Sequence, residues 1–282
     1  TEGRHANTLL EGVPSLAILL GLLVFPMGGA EPLVWGTLAG FVLHLASLAV
    51  PMVCYGELES PRFTRQSPEW ASFWQGFGIM LIGQVFMALT GIVDQFFAAH
   101  LGSGSIATLG YANRVLALIL GIGAMAVSRA TLPVYAKTEI RGEVALRRMC
   151  GSWAWLMLAM GAVGMFVGWW SAYWGVEKLF ERGAFTSQDT SVVTQLIQYG
   201  LAQLPFYLAG MVLVSALVAR RRYDILLVIG MMNLVTKISL NTLLIPYLGL
   251  NGIMIATSLM AAFSAVFLAI AIFKLTNSVK DQ

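Results

Sequence analysis

Long apolar runs constrain this chain more than any other feature. Stretches of about twenty apolar residues recur along it between short polar breaks, and about twenty such residues cross a bilayer as an α-helix. Runs of this length exclude a transmembrane barrel, whose strands need only about ten residues of alternating character. The expectation is an all-α, polytopic membrane helical bundle of about eight spans. Across 282 residues, 58% are hydrophobic and only 11% charged, with a mean hydropathy of +0.77. That composition excludes a soluble domain.

In chain order, the spans are expected at about residues 8–25, 33–55, 73–100, 106–135, 152–174, 192–219, 225–245 and 252–273. A polar linker, 56–69, follows the second span, and a charged loop, 137–148, follows the fourth. A turn-like amphipathic stretch, 176–190, precedes the sixth span, which Pro205 should break. A turn over 246–251 should separate the last two. Gly36 and Gly40 share one face of the second helix and would let a neighbouring backbone come close. The hairpin of the first two spans looks like that of the last two: Leu22 to Pro26 with Gly28 parallels Leu243 to Pro246 with Gly249.

Lys and Arg are concentrated in alternate loops. The linker holds Arg62 and Arg65, the charged loop four basic residues, and the sixth-to-seventh connection Arg220, Arg221 and Arg222. The net charge of +3 therefore reads as membrane orientation, with both termini and these loops cytoplasmic, and not as nucleic-acid binding. Cys54 and Cys150 lie too far apart in sequence for a disulfide framework or metal cluster and read as small apolar fillers. No cleavable signal is evident, and the absence of an initiator Met leaves open that the chain is a fragment. No phosphate-binding glycine loop, metal-spaced His/Cys set or nucleophile triad is present, so no enzyme, cofactor or metal is expected.

Charges within the apolar runs are functional candidates, because an ionisable group at membrane depth is costly unless it is paired or faces a wet cavity. The third span carries Asp94, and the fourth carries Asn113, Arg114 and Arg129. Together they look like the wall of a polar cavity. On the seventh span, Asn233, Lys237 and Asn241 recur every four residues and share one helix face. A lysine at mid-span demands a partner.

Several motifs give the chain a family resemblance. They are Val93-Asp94, Tyr111-Ala112-Asn113-Arg114, Leu132-Pro133, the run Leu179-Phe180-Glu181-Arg182-Gly183-Ala184-Phe185-Thr186, Leu243 to Pro246 with Gly249, and Ala256-Thr257-Ser258-Leu259. In this order they resemble the MurJ (MviN) lipid II flippases of the MOP exporter superfamily. The resemblance implies a transporter of two six-span lobes that rock around a cationic cavity. Its substrate would be an undecaprenyl-pyrophosphate-linked glycan, and its place the bacterial cytoplasmic membrane.

This chain would match roughly the family's fifth to twelfth spans. Residues 1–70 would hold the last two helices of the first lobe with a linker, and 71–282 the second lobe. The missing N-terminal helices would come from the same or a separate chain. Two alternatives remain: an exporter of another polyprenyl-linked glycan precursor, and a non-transporting membrane subunit or remnant.

The resemblance also implies roles. Arg114 matches a cavity arginine expected to meet pyrophosphate, where a permanently charged planar fork suits phosphate oxygens; otherwise it snorkels or pairs with Asp94. Asn113 stands where the family usually has Asp, which leaves the cavity more positive. Arg129 either adds a cavity cation or reaches the headgroups by snorkelling. The sodium site seen in some members maps onto Asp94, Lys237, Asn241 and Thr257. Here one ligand is an ammonium, which would repel sodium, so the expectation is a buried charge pair in its place.

Overall fold

The structure, a computed structural model, describes residues 10, 12–25, 31–54, 69–138, 143–220 and 222–277. All nine helices among them belong to two compact units, Thr1–Ser67 and Pro68–Gln282. The connection between the first two expected spans around Pro26 and Gly28, and residues 56–68 of the polar linker, lie outside the described residues.

The first unit is a helical hairpin of α1 (Val13–Val24) and α2 (Glu31–Cys54). Pro14 sits in the first turn of α1, where a missing N–H costs nothing. The glycines of α2 carry the packing. A Cβ on Gly40 would lie 2.7 Å from the Pro14 Cα, and one on Gly36 would lie 3.0 Å from the Ile18 Cα. The helices thus meet backbone to backbone, and any side chain at these positions would push them apart.

The second unit contains α3 (Glu69–Ala99), α4 (Ser105–Thr138), α5 (Glu143–Phe180), α6 (Ser187–Leu201), α7 (Leu204–Ala219), α8 (Tyr223–Leu248) and α9 (Leu250–Asn277). Its centre is the pair α6 and α7, where Leu196, Ile197, Val212 and Leu217 are fully buried. Pro205 opens α7, and the two helices meet at a 41° bend, the geometry of a broken span or a re-entrant loop. α5 crosses α7 so closely that a Cβ on Gly161 would sit 2.5 Å from the Pro205 Cα. The outward side of α5 exposes Trp155, Trp170 and Trp174, as lipid-facing and interfacial rings do.

Among the described residues six helices are long and apolar enough to span a bilayer, and seven spans result if α6 and α7 count as one. α1, with 12 residues, is apolar but shorter. Three expected breaks differ. The turn-like stretch 176–190 narrows to 181–186, because α5 runs on to Phe180 and α6 begins at Ser187. The charged loop 137–148 shrinks, because α4 continues to Thr138 and α5 begins at Glu143; good helix formers carry both helices beyond the apolar layer. The turn over 246–251 is also shorter, since α8 runs through Pro246 to Leu248. That proline lies in the last turn and forfeits only its own bond to the Thr242 carbonyl. Gly249 ends the helix instead, at φ 57° with its N–H on the Ile245 carbonyl 2.8 Å away, a backbone state that favours glycine.

Candidate functional site

Two polar places in the second unit border α3, at successive residues. Asp94 belongs to one and Gln95 to the other.

The first is a half-open cavity of about 320 Å³ between α3 and the start of α4. Gln95, Ile106, Gly110, Tyr111, Asn113 and Arg114 line it. Asn113 and Arg114 are exposed, and the Arg114 Cζ stands 5.9 Å over the Tyr111 ring, a cation–π distance. Among the described residues Arg114 forms no ion pair; the carboxylate of Asp94 is engaged by Lys237. Pairing of Arg114 with Asp94, one of the readings from sequence, is thereby corrected. Among the described residues nothing occupies the Arg114 donors, and the amides of Gln95 and Asn113 and the Tyr111 ring line the cavity beside it.

The Tyr111 ring is itself wedged between two phenylalanines. Its centroid lies 5.0 Å from that of Phe180 at 63° and 5.1 Å from that of Phe185 at 81°. Those two belong to the Leu179–Thr186 motif, which forms the α5–α6 turn. Gly183 makes the turn at φ 65°. Thr186 caps α6 reciprocally with Asp189: its N–H donates to Asp189 Oδ2 at 2.8 Å, and the Asp189 N–H donates to Thr186 Oγ1 at 3.3 Å. Thr190, fully buried, donates its hydroxyl to Glu181 Oε2 at 2.7 Å. The motif thus builds a rigid turn whose aromatic members reach the cavity. Sequence reasoning missed Tyr111 and Gln95 as lining residues; the signal for Tyr111 was its position three residues, one helical turn, before Arg114.

The second place is a closed seam between α3, α8 and α9. Lys237 is 1% exposed, and its Nζ lies 2.9 Å from Asp94 Oδ1. The ammonium also donates to the Ile253 carbonyl at 3.2 Å and to Thr257 Oγ1. Three N–H groups therefore meet three acceptors, the full capacity of a lysine. The Thr257 hydroxyl donates in turn to the Ile253 carbonyl at 2.9 Å, and Asn241 Nδ2 donates to Asp94 Oδ1 at 2.9 Å. One turn away, Asn233 reaches Ser264 at 3.4 Å.

Asp94, Lys237, Asn241 and Thr257 come together; Arg129 does not enter this picture, since its side chain lies outside the described residues. A sodium ion does not fit the seam. Asp94 and Thr257 are both engaged by the Lys237 ammonium, Asn241 is turned to Asp94, and a second cation there would face like-charge repulsion with the one carboxylate already shared.

The second unit is an all-α bundle of helices long and apolar enough to cross a membrane, and solved membrane transporters share its fold. A solved lipid II flippase MurJ in an inward-closed conformation superposes with a TM-score of 0.66 at 20% identity, over 94% of this chain and 55% of that one. A Vibrio cholerae MATE transporter, VcmN, gives 0.73 at 16% identity over 96% and 62%. The chain belongs to the lipid II flippase MurJ family, whose profile matches residues 13–280.

Among its relatives, a probable lipid II flippase MurJ of Bdellovibrio bacteriovorus is 28% identical over 271 residues, 91% of this chain and 51% of that protein. One of Helicobacter pylori strain J99 is 30% identical over 210 residues, 72% and 44%. The chain spans about half the length of the curated relatives it matches.

Proposed function

We propose that residues 68–282 form the second lobe of a lipid II flippase and that residues 1–67 contribute the last two helices of the first. The observation that carries this is the cavity at Arg114. A guanidinium that meets no carboxylate among the described residues and faces a half-open cavity suits the pyrophosphate of an undecaprenyl-linked glycan. Gln95 and Asn113 add neutral donors and acceptors beside it. The site binds and orients; bond-making chemistry has no part in it.

The seam performs a different task in this reading. Lys237 stands in place of a sodium ion as a tethered cation, holding α3 against α8 and α9 without ion uptake. Alternating access needs two opposing walls around one site, and this chain supplies about half of its relatives' length. Alone it is expected not to move lipid II across the membrane, which a flippase-depleted strain carrying residues 1–282 checks by its failure to grow. Both termini face the cytoplasm of a bacterial inner membrane. A thiol reagent added outside should then label Ser103→Cys, on the α3–α4 turn, and spare Arg141→Cys; the opposite pattern inverts the topology.

The binding test uses the purified chain in detergent micelles with undecaprenyl pyrophosphate. Saturable binding that weakens about tenfold or more on Arg114→Ala is expected, the scale of losing charge-assisted bonds to phosphate. Binding indifferent to Arg114→Ala contradicts the proposal.

A further inference from the structure

Resting on the reading of the Arg114 cavity as a lipid-pyrophosphate site, we infer that Tyr111 is the positioning residue for the Arg114 guanidinium, and that Phe180 and Phe185 fix the Tyr111 ring. An exposed arginine has several free torsions and loses conformational entropy when a ligand orders it. A ring one helical turn below, with its electron-rich face toward the guanidinium, restrains those torsions beforehand. The Arg114 Cζ lies 5.9 Å from the Tyr111 centroid, inside the range where this attraction operates.

A ring can hold a cation in place only if it is held itself. Tyr111 is packed against the buried core, and both neighbouring rings meet it in tilted or edge-on geometry, Phe180 at 5.0 Å and Phe185 at 5.1 Å. Such pairs prefer this arrangement because ring edges are positive and ring faces negative. The two phenylalanines also contact each other at 5.9 Å, which closes the triangle. Their spacing is set by the turn between them, through Gly183 at φ 65° and the 2.7 Å bond from Thr190 to Glu181. The α5–α6 turn therefore acts on the ligand through Tyr111, without touching it. Among the described residues the Tyr111 hydroxyl makes no hydrogen bond, so phenylalanine should serve as well.

The test is a double-mutant cycle on the purified chain, with farnesyl pyrophosphate as probe and ³¹P line broadening as readout, which still registers weak binding. Tyr111→Phe is expected to bind within about twofold of wild type. Tyr111→Leu and Phe185→Leu should each weaken binding about three- to tenfold, the range of a cation–π contact. In an Arg114→Gln background, itself weaker, Tyr111→Leu should cost less than about twofold, because the ring then has no cation to place. Thermal melts confirm that each variant is folded; should Tyr111→Leu not fold, Phe185→Leu completes the same cycle.

Tyr111→Leu binding like wild type, or losing equally with and without Arg114, overturns the inference while leaving Arg114 as a ligand residue. If Arg114→Gln binds as tightly as wild type, the reading of the cavity fails instead.

Discussion

Lys237 and Arg114 carry the same charge within one helical unit, yet their surroundings assign them opposite tasks. Lys237 is 1% exposed and gives all three protons to protein acceptors, one of them the Asp94 carboxylate. Arg114 is exposed, has an aromatic ring beneath it, and meets no carboxylate among the described residues. A satisfied buried cation tightens the fold and has nothing left to offer a ligand. An unsatisfied one on a cavity wall costs little in water-filled surroundings and keeps its donors for an anion. Depth in the membrane alone does not separate the two; the count of occupied donors does.

The largest effect should come from breaking the seam on one side. Lys237→Ala leaves Asp94, its side chain only 15% exposed, beside Asn241 with no counter-charge, a loss approaching about 3–5 kcal/mol, and a sharp fall in melting temperature should follow. Replacing both charges, Asp94→Leu with Lys237→Met, is expected to recover most of that loss, because well-packed apolar groups match a buried pair. If the double variant melts as low as Lys237→Ala, the seam is more than a charge pair. The comparison then needs another basis.

Arg114→Ala is expected to do the reverse. Its melting temperature should stay within about 2 °C of wild type, as for surface substitutions, while affinity for undecaprenyl pyrophosphate falls. A variant that loses stability as Lys237→Ala does would erase the distinction drawn here.

The smallest effect sharpens the contrast within one region. Gly183→Ala meets open space but must hold φ 65°, at a cost of about 1 kcal/mol. By loosening the turn behind Phe180 and Phe185 it should weaken pyrophosphate binding about twofold. Restoring the seam cannot rescue it, so Gly183→Ala and Lys237→Ala should add in their effects on stability; strong coupling between them would join two places this account keeps apart.

Much of this was legible before any coordinates. Apolar run lengths carry the helices, and Pro205 marks the break between α6 and α7. The four-residue spacing of Asn233, Lys237 and Asn241 puts them on one face, and a mid-span lysine needs an acid. That the seam's four residues lie together is geometry; their standing in for an ion belongs to the proposal. Other features depend on contacts that no local pattern encodes. Tyr111 meets Phe180 and Phe185 from about seventy residues away in sequence, and nothing in the Leu179–Thr186 motif says which helix its rings will grip. Pro246 misleads for a local reason, since a proline in a final turn looks like a helix end while Gly249 is the actual stop. The reach of α4 and α5 past the apolar layer is invisible to hydropathy, because polar helix formers and loop residues look alike to it.

In the proposed reading the cation of the α3–α8–α9 seam is the Lys237 ammonium, and no ion is taken up there. That reading is tested most directly by the melting temperature of the purified protein in sodium chloride and in potassium chloride at equal ionic strength. The account predicts the same value in both salts for the wild type, and a rise specific to sodium for Lys237→Asn combined with Asn241→Asp. A sodium-specific rise in the wild-type protein would contradict it.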